Sequence, residues 1–98
     1  MKKFTFKKYV PVGRYKSFEL DQTDIKLNKK VIGTINQQRG EGYKISFAIK
    51  ISPTKEKPAP FKWVRAKKIF GSEKEARQFV IENNEKIQTT LDLYSFED

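Results

Sequence analysis

The sequence predicts an α+β fold, in which an antiparallel sheet of three to five strands packs on one C-terminal amphipathic α-helix. Apolar and polar residues alternate along Tyr43–Ile51, as expected for a strand with one buried face. Within Phe61–Ile81 the apolar period lengthens from two residues to nearly four, which indicates a strand running into a helix. A length of 98 residues suits one hydrophobic core, so we expect residues 1–98 to form a single domain.

Residues 1–28 are predicted to be an N-terminal extension with one or two short strands. Phe4 and Phe6 alternate with polar neighbours and suggest the first strand, and Tyr15–Leu20 is the second candidate. The stretch Asp21–Asn28 is polar enough for a loop, although two apolar residues alternate within it. The pattern leaves the choice between loop and strand open there.

Residues 30–88 are predicted to form a three-stranded sheet followed by the helix. The first strand is Lys30–Arg39, and a turn with two glycines joins it to the strand that begins at Tyr43. Residues 52–60 contain three prolines and are expected to form a loop. The third strand then begins at Phe61.

The third strand, residues 61–70, has two possible orientations. If Phe70 lies in the core, the opposite side of the strand faces solvent, because a lone antiparallel sheet backed by a helix has one uncovered face. That solvent side carries Phe61, Trp63, Arg65 and Lys67. Alternatively, Phe61 and Trp63 face the core and a bulge near the end restores Phe70, since Trp is more often packed than exposed.

A capping box marks the start of the helix, which we predict over residues 73–88. The Ser72 hydroxyl is expected to accept from the amide of Glu75, and the Glu75 carboxylate to accept from the amide of Ser72. One stripe of the helix is apolar and contains Ala76, Phe79, Val80, Ile87 and Leu91. The tail, residues 89–98, is too apolar to be free, so we expect Leu93 or Phe96 to fold back on the core.

Positive charge is concentrated in the predicted sheet. Residues 1–71 contain 18 Lys and Arg against 5 Asp and Glu, whereas residues 72–98 contain 3 against 7. A basic region of this size favours a polyanionic partner, with nucleic acid ahead of a membrane surface because no strongly amphipathic basic helix is present. Against this, 17 of the 21 cations are Lys, a residue that also accumulates on solvated faces.

Several functional classes are disfavoured by composition. The chain has no Cys and no His, which excludes disulfides, the usual zinc sites and Ser-His or Cys-His catalysis. Asp21 and Asp24 lack a third ligand, and Lys67 and Lys68 resemble ordinary solvated lysines. We therefore expect no enzyme, cofactor, metal or small-molecule substrate. With neither a signal peptide nor a stretch of about 20 apolar residues, a cytoplasmic protein is expected.

The helix junction Phe70-Gly71-Ser72-Glu73-Lys74-Glu75-Ala76, followed by Phe79, resembles a known family. With the strand order over residues 30–88, it is similar to the arm-site DNA-binding domains of phage-type tyrosine-recombinase integrases. In that family the solvent face of the sheet lies in the major groove, which implies contacts from Asn36, Gln38, Lys44, Ser46, Lys50, Arg65 and Lys67. The proline-rich loop, the N-terminal extension and the lack of a recombinase domain depart from the family, so the integrase role is not implied.

The sequence therefore predicts a small nucleic-acid-binding protein of phage or mobile-element origin. Asn, Gln, Arg and Lys can bond base edges in duplex DNA, the favoured partner, and Lys neutralises phosphates. Exposed Trp63 and Phe61 would suit single-stranded nucleic acid instead, because bases stack on aromatic rings. A second hypothesis is an inhibitor that blocks a host nucleoprotein enzyme, anti-CRISPR or anti-restriction-like, since a basic face also docks on acidic protein.

Overall fold

The computed structural model describes residues 3–8, 21–38 and 40–96. Within them five strands form one antiparallel sheet in sequential order, and two helices follow. The elements are β1 Thr5–Lys8, β2 Gln22–Leu27, β3 Lys30–Gln38, β4 Gly42–Lys50, β5 Phe61–Arg65, α1 Glu73–Glu82 and α2 Asn84–Thr90. The α+β class and the antiparallel sheet predicted from the sequence are confirmed.

Helix α1 packs on one side of the sheet, against β3 and β4, and we call this side the covered face. Alternate strand residues point towards it, because successive side chains of a strand lie on opposite faces. The core formed there contains Phe4, Ile25, Ile32, Ile35, Ile45, Phe47, Phe70, Ala76, Val80 and Ile87. Full burial of a large apolar side chain contributes about 1.5–3 kcal/mol, so this face is the main source of stability.

Of the two hydrogen bonds predicted for the N-terminal cap of α1, one is formed and the other has a different donor. Ser72 Oγ accepts from the backbone N–H of Glu75 at 3.2 Å, which confirms the cap. The Glu75 carboxylate accepts from the amide of Gly71 at 3.0 Å, rather than from that of Ser72. A Cβ at Gly71 would lie 3.3 Å from that carboxylate oxygen, so the glycine leaves room for it.

The single helix predicted over residues 73–88 is wrong in one respect, because two helices meet at Asn83. The Asn83 side chain donates to the carbonyl oxygen of Phe79 at 2.8 Å, and Asn83 itself has φ −105° and ψ 16°. Asn favours such boundaries since its side chain competes for nearby backbone groups. In the part of the chain that the structure describes, no helix is long and apolar enough to cross a membrane.

Strand β2 shows that the polar stretch Asp21–Asn28 is not simply a loop. It pairs with β1 on one side and with β3 on the other, so its backbone groups are satisfied by both neighbours. Thr23 and Ile25 are fully buried on the covered face. The other candidate strand of the extension, Tyr15–Leu20, lies outside the described residues.

Strand β5 ends at Arg65, and the chain then departs from regular pairing before returning at Phe70. The amide of Ala66 donates to the Ile45 carbonyl, and Phe70 next exchanges two hydrogen bonds with Tyr43. From the first of these contacts to the second, β4 passes from Ile45 to Tyr43, which is two residues, whereas the other segment passes from Ala66 to Phe70, which is four. Because the second segment has two extra residues, an even number, the alternation of faces is kept. Phe70 therefore points to the covered face, where it is buried.

The C-terminal tail folds back between β3 and β4, which pair directly only from Gln38↔Gly42 to Gly33↔Phe47. Beyond that point Leu93 pairs with Ile49, and Phe96 pairs with Val31. Leu93 also packs against the core, which confirms the expected return of the tail. The tail thereby fills the gap where the two central strands separate.

Candidate functional site

The side of the sheet opposite the helices carries a row of polar residues that crosses all five strands, and we call this side the open face. Consecutive strand pairings align these residues directly: Lys7 with Asp24, Asp24 with Thr34, Thr34 with Ser46, and Ser46 with Arg65. We call them the polar row. Paired residues of antiparallel strands point to the same face, so the row presents five hydrogen-bonding side chains to one side.

A shallow groove of about 620 Å³ lies over the middle of the open face. Its walls and floor are formed by Gln22, Thr34, Asn36, Ser46, Trp63 and Arg65. The volume falls within the range of about 300–1,000 Å³ that is usual for ligand sites. The groove therefore combines amides, hydroxyls, a guanidinium and an indole ring in one accessible concavity.

Asn36 lies at the centre of a second polar row, next to the first. It pairs with Gln22 on β2 and with Lys44 on β4. Its Oδ1 atom is buried and has no hydrogen-bond partner among the described residues. Gln22 is already engaged, since its Nε2 donates to Asp24 Oδ1 at 3.2 Å. An unpartnered buried acceptor costs free energy, so a donor supplied by a ligand would stabilise Asn36.

One end of the open face carries an aromatic cluster of Phe61, Trp63, Tyr94 and Phe96. Trp63 stacks on Phe96 with ring centroids 5.6 Å apart and an interplanar angle of 13°. Phe61 stacks on Tyr94 at 4.9 Å and meets Trp63 edge-on at 6.3 Å. These contacts hold the indole in place, although Trp63 is 48% exposed. Trp63 thus belongs to the aromatic cluster and also borders the polar groove.

Four of the cations on the open face, Lys7, Lys44, Lys50 and Arg65, differ in how they are paired. Lys44 lies 3.9 Å from Glu41, and Lys50 lies 3.9 Å from Asp92, distances at the limit of an ion pair. Within the described ranges, neither Lys7 nor Arg65 makes an ion pair. Pairs this long contribute little, so Lys44 and Lys50 can exchange their carboxylate partners for phosphates, whereas Lys7 and Arg65 have no described ion pair to replace.

The structure brings together half of the residues that the sequence singled out. Asn36, Ser46, Trp63 and Arg65 line the groove, and Lys44 pairs with Asn36 on the same face. Gln38 and Lys50 lie at opposite ends of the open face, paired with Gly42 and Phe61 respectively. Lys67 is exposed but follows the end of β5, so strand alternation does not place it with the others.

Sequence reasoning missed four residues of the polar row and the groove: Lys7, Gln22, Asp24 and Thr34. Lys7 belongs to β1, whereas Gln22 and Asp24 belong to β2, for which the sequence pattern leaves the choice between loop and strand open. The alternation of Ile25 and Leu27 was the available signal, because it puts Gln22 and Asp24 on the side opposite Ile25. Thr34 was visible on the same side of its strand as Asn36, but its hydroxyl alone did not indicate a contact.

A further polar cluster lies at the rim of the covered face. Thr23 Oγ1 donates to Glu73 Oε1 at 2.9 Å, and the Glu73 carboxylate also accepts from Arg77. Burial, followed by the negative charge of Asp21, raises the pKa of Tyr43 above its usual value of 10.0. The described residues contain no group of three or more acidic, His or Cys side chains suited to holding a metal ion. The hydrogen bond between Thr23 and Glu73 joins α1 to the sheet.

Comparison with family models, with curated proteins and with solved structures finds no match to this chain. Its function is therefore argued from the geometry of the open face.

Proposed function

We propose that this chain is a non-enzymatic protein that binds single-stranded nucleic acid across the open face of its sheet. The observation that carries the proposal is the polar row, which crosses the five described strands on the face opposite the two described helices. Sheets of this kind bind single strands by stacking bases on aromatic side chains and placing cations along the backbone. Trp63 and Arg65 supply both groups on one strand.

The chemistry of the groove supports contacts with base edges as well as with phosphates. The amides of Gln22 and Asn36 carry a donor and an acceptor each, and the hydroxyls of Thr34 and Ser46 can do either. Such groups suit unpaired bases, whose edges are accessible from several directions. Lys7, Lys44, Lys50 and Arg65 are distributed around these groups, where they would neutralise the phosphates.

The width of the sheet favours a single strand over the duplex DNA expected from the sequence. Five strands separated by about 4.8 Å span about 19 Å, whereas the major groove of B-DNA is about 12 Å wide. A groove of that width admits an α-helix or a two-stranded ribbon. The polar row would therefore be only partly used on a duplex, while a flexible single strand could follow its whole length.

The proposal is tested by measuring the affinity of single-stranded DNA, single-stranded RNA and duplex DNA of about 12 nucleotides, a length within known site sizes. Fluorescence anisotropy between about 50 and 200 mM salt gives the logarithmic slope, which is about −0.7 for each phosphate neutralised on a single strand. Neutralisation of four phosphates by Lys7, Lys44, Lys50 and Arg65 predicts a slope of about −2.8 for the single strands. Tighter duplex binding, with a slope of about −0.9 per phosphate, would instead support the duplex model.

Two substitutions on β5 provide a matched pair. Arg65→Ala should reduce the magnitude of the slope by about 0.7, because it removes one phosphate contact. Lys62→Ala removes a cation from the same strand, but Lys62 pairs with Ile49 on the other side of the sheet, so binding should not change. If no oligonucleotide binds with a salt-dependent affinity, the proposal is wrong, and a protein partner becomes the better hypothesis.

A further inference from the structure

We infer that the groove beside Trp63 holds one unpaired nucleobase, stacked on the free side of the indole and hydrogen-bonded at its edge by Asn36. This inference rests on the proposed function and adds a defined base site to it. It concerns one position of the bound strand, whereas the salt dependence concerns the whole strand. The two can therefore fail separately.

The position of Trp63 carries the first step. Its neighbours on the open-face side of β5 are Phe61 and Arg65, because residues two apart on a strand share a face. Phe96 stacks on the ring from the side of the aromatic cluster, at an angle of 13°. Trp63 also borders the groove, together with Arg65 and Ser46. Since Phe96 packs one face of this partly exposed ring, we place the flat ligand on the other face, within the groove.

The second reason is that the Trp63 ring is held rigidly. A stacking platform binds best when its orientation is fixed before the ligand arrives, since less rotamer entropy is then lost on binding. Phe96 packs against Trp63 in parallel, and Phe61 contacts it edge-on with an interplanar angle of 86°. Phe96 is itself held by the backbone hydrogen bond from its amide to the Val31 carbonyl, at 2.8 Å. The C-terminal tail thereby orients the platform.

The third reason is Asn36, which lines the same groove and whose Oδ1 atom is buried without a hydrogen-bond partner among the described residues. The terminal torsion of Asn is broad, so a small rotation directs either the oxygen or the nitrogen towards a ligand. An amide that accepts and donates together matches N6–H and N7 of adenine. An unpaired thymine offers N3–H and O4 to the same amide, so this hydrogen bond alone does not separate the two bases. Adenine has the larger ring system to stack on the indole, and we therefore expect the site to prefer adenine over thymine.

The single Trp of the chain allows the base site to be observed directly. Trp63 fluorescence should be quenched on titration with an oligothymidine of about 12 nucleotides that contains one central adenine. The quenching should saturate together with the anisotropy of the labelled strand. An otherwise identical strand with an abasic position in place of the adenine should bind more weakly and quench less.

Two results would overturn the base site while leaving the proposed function intact. One is salt-dependent binding without any change in Trp63 fluorescence. The other is equal affinity for the adenine, thymine and abasic strands. An absence of all binding would instead overturn the proposed function, and the base site with it.

Substitutions complete the test. Trp63→Ala should weaken single-strand binding by about 5- to 150-fold, the range for loss of one stacked base, and Trp63→Phe should restore part of it. The matched control is Val64→Ala, since Val64 is also exposed but pairs with Phe47 on the covered face. Asn36→Ala should weaken the binding of the adenine and thymine strands and change that of the abasic strand less. If Val64→Ala weakens binding as much as Trp63→Ala, or if Asn36→Ala leaves the affinity for the adenine strand unchanged, the assignment is wrong.

Discussion

Two adjacent residues of β4, Ser46 and Phe47, show how differently the two faces of this sheet are used. Phe47 is 7% exposed and belongs to the core beneath the helices. Ser46 points the other way, into the polar row, and lines the groove. Both occupy regular positions on the same strand, so backbone geometry does not distinguish them. The difference is whether the helices cover the side chain.

The covered face provides stability, and this frees the open face from packing constraints. Apolar residues from the sheet and from both helices form one core on the covered side. The open side has a groove of polar groups, and the tail packs on its aromatic end. Substitutions should therefore separate cleanly into those that affect unfolding and those that affect binding.

The largest expected effect is on the covered face, where Phe47→Ala should lower the free energy of unfolding by about 3–5 kcal/mol. Urea denaturation measures the loss. Ser46→Ala, one residue away, should change stability by no more than about 0.5 kcal/mol. Similar losses of unfolding free energy for the two variants would show that the two faces do not differ in their contribution to stability. Phe79, which lies on the predicted apolar stripe of the helix, is only partly buried, so Phe79→Ala should cost less than Phe47→Ala.

The next effect concerns the close approach of β3 and β4 at Gly33. A Cβ there would lie 2.6 Å from the Ser46 carbonyl oxygen and 2.8 Å from Phe47 Cδ1. Gly33→Ala should therefore cost about 1–3 kcal/mol, as is typical of overpacking. Gly71→Ala is the comparison, because its nearest contact is the flexible Glu75 carboxylate at 3.3 Å. A larger loss at Gly71 than at Gly33, measured by thermal or urea unfolding, would contradict this account.

A smaller effect is expected at the start of α1, the helix that covers the sheet. Ser72→Ala removes the acceptor of the Glu75 amide and should lower the free energy of unfolding by about 0.5–2 kcal/mol. Ser52→Ala, in the exposed loop before β5, is the control and should leave the midpoint unchanged. An equal midpoint for the two variants would show that the cap contributes nothing to the covered face.

The smallest effect is a pH dependence at the rim of the covered face. The folded protein raises the pKa of Tyr43 above 10.0, chiefly through burial and secondarily through Asp21. Above that pH the Tyr43 hydroxyl loses its proton in the unfolded chain before it does so in the folded protein. The contribution of Tyr43 to the free energy of unfolding is therefore complete below pH 10 and declines as the pH rises further. Tyr43→Phe should remove this part of the decline. Parallel urea midpoints for the two proteins from pH 9 to pH 11, about one unit either side, would contradict it.

The sequence by itself determined the α+β class, the strand at Tyr43 and the helix start at Ser72, because each depends on local patterns. Two-residue alternation reports which side of a strand is buried, and a cap is formed within four residues. The same alternation indicated that Trp63 and Arg65 would share a face. These features required no knowledge of which strands are neighbours.

Only the tertiary structure decided how the open face is assembled and how wide it is. β2 is a strand because β1 and β3 satisfy its backbone from both sides, which its own polar sequence does not reveal. Ile32 is buried because the register shifts between Ile25 and Lys26, so simple alternation misplaces it. Phe96 reaches Trp63 only because β3 and β4 separate and admit the tail. Pairings between distant segments decide all three, and a local pattern contains no information about such partners.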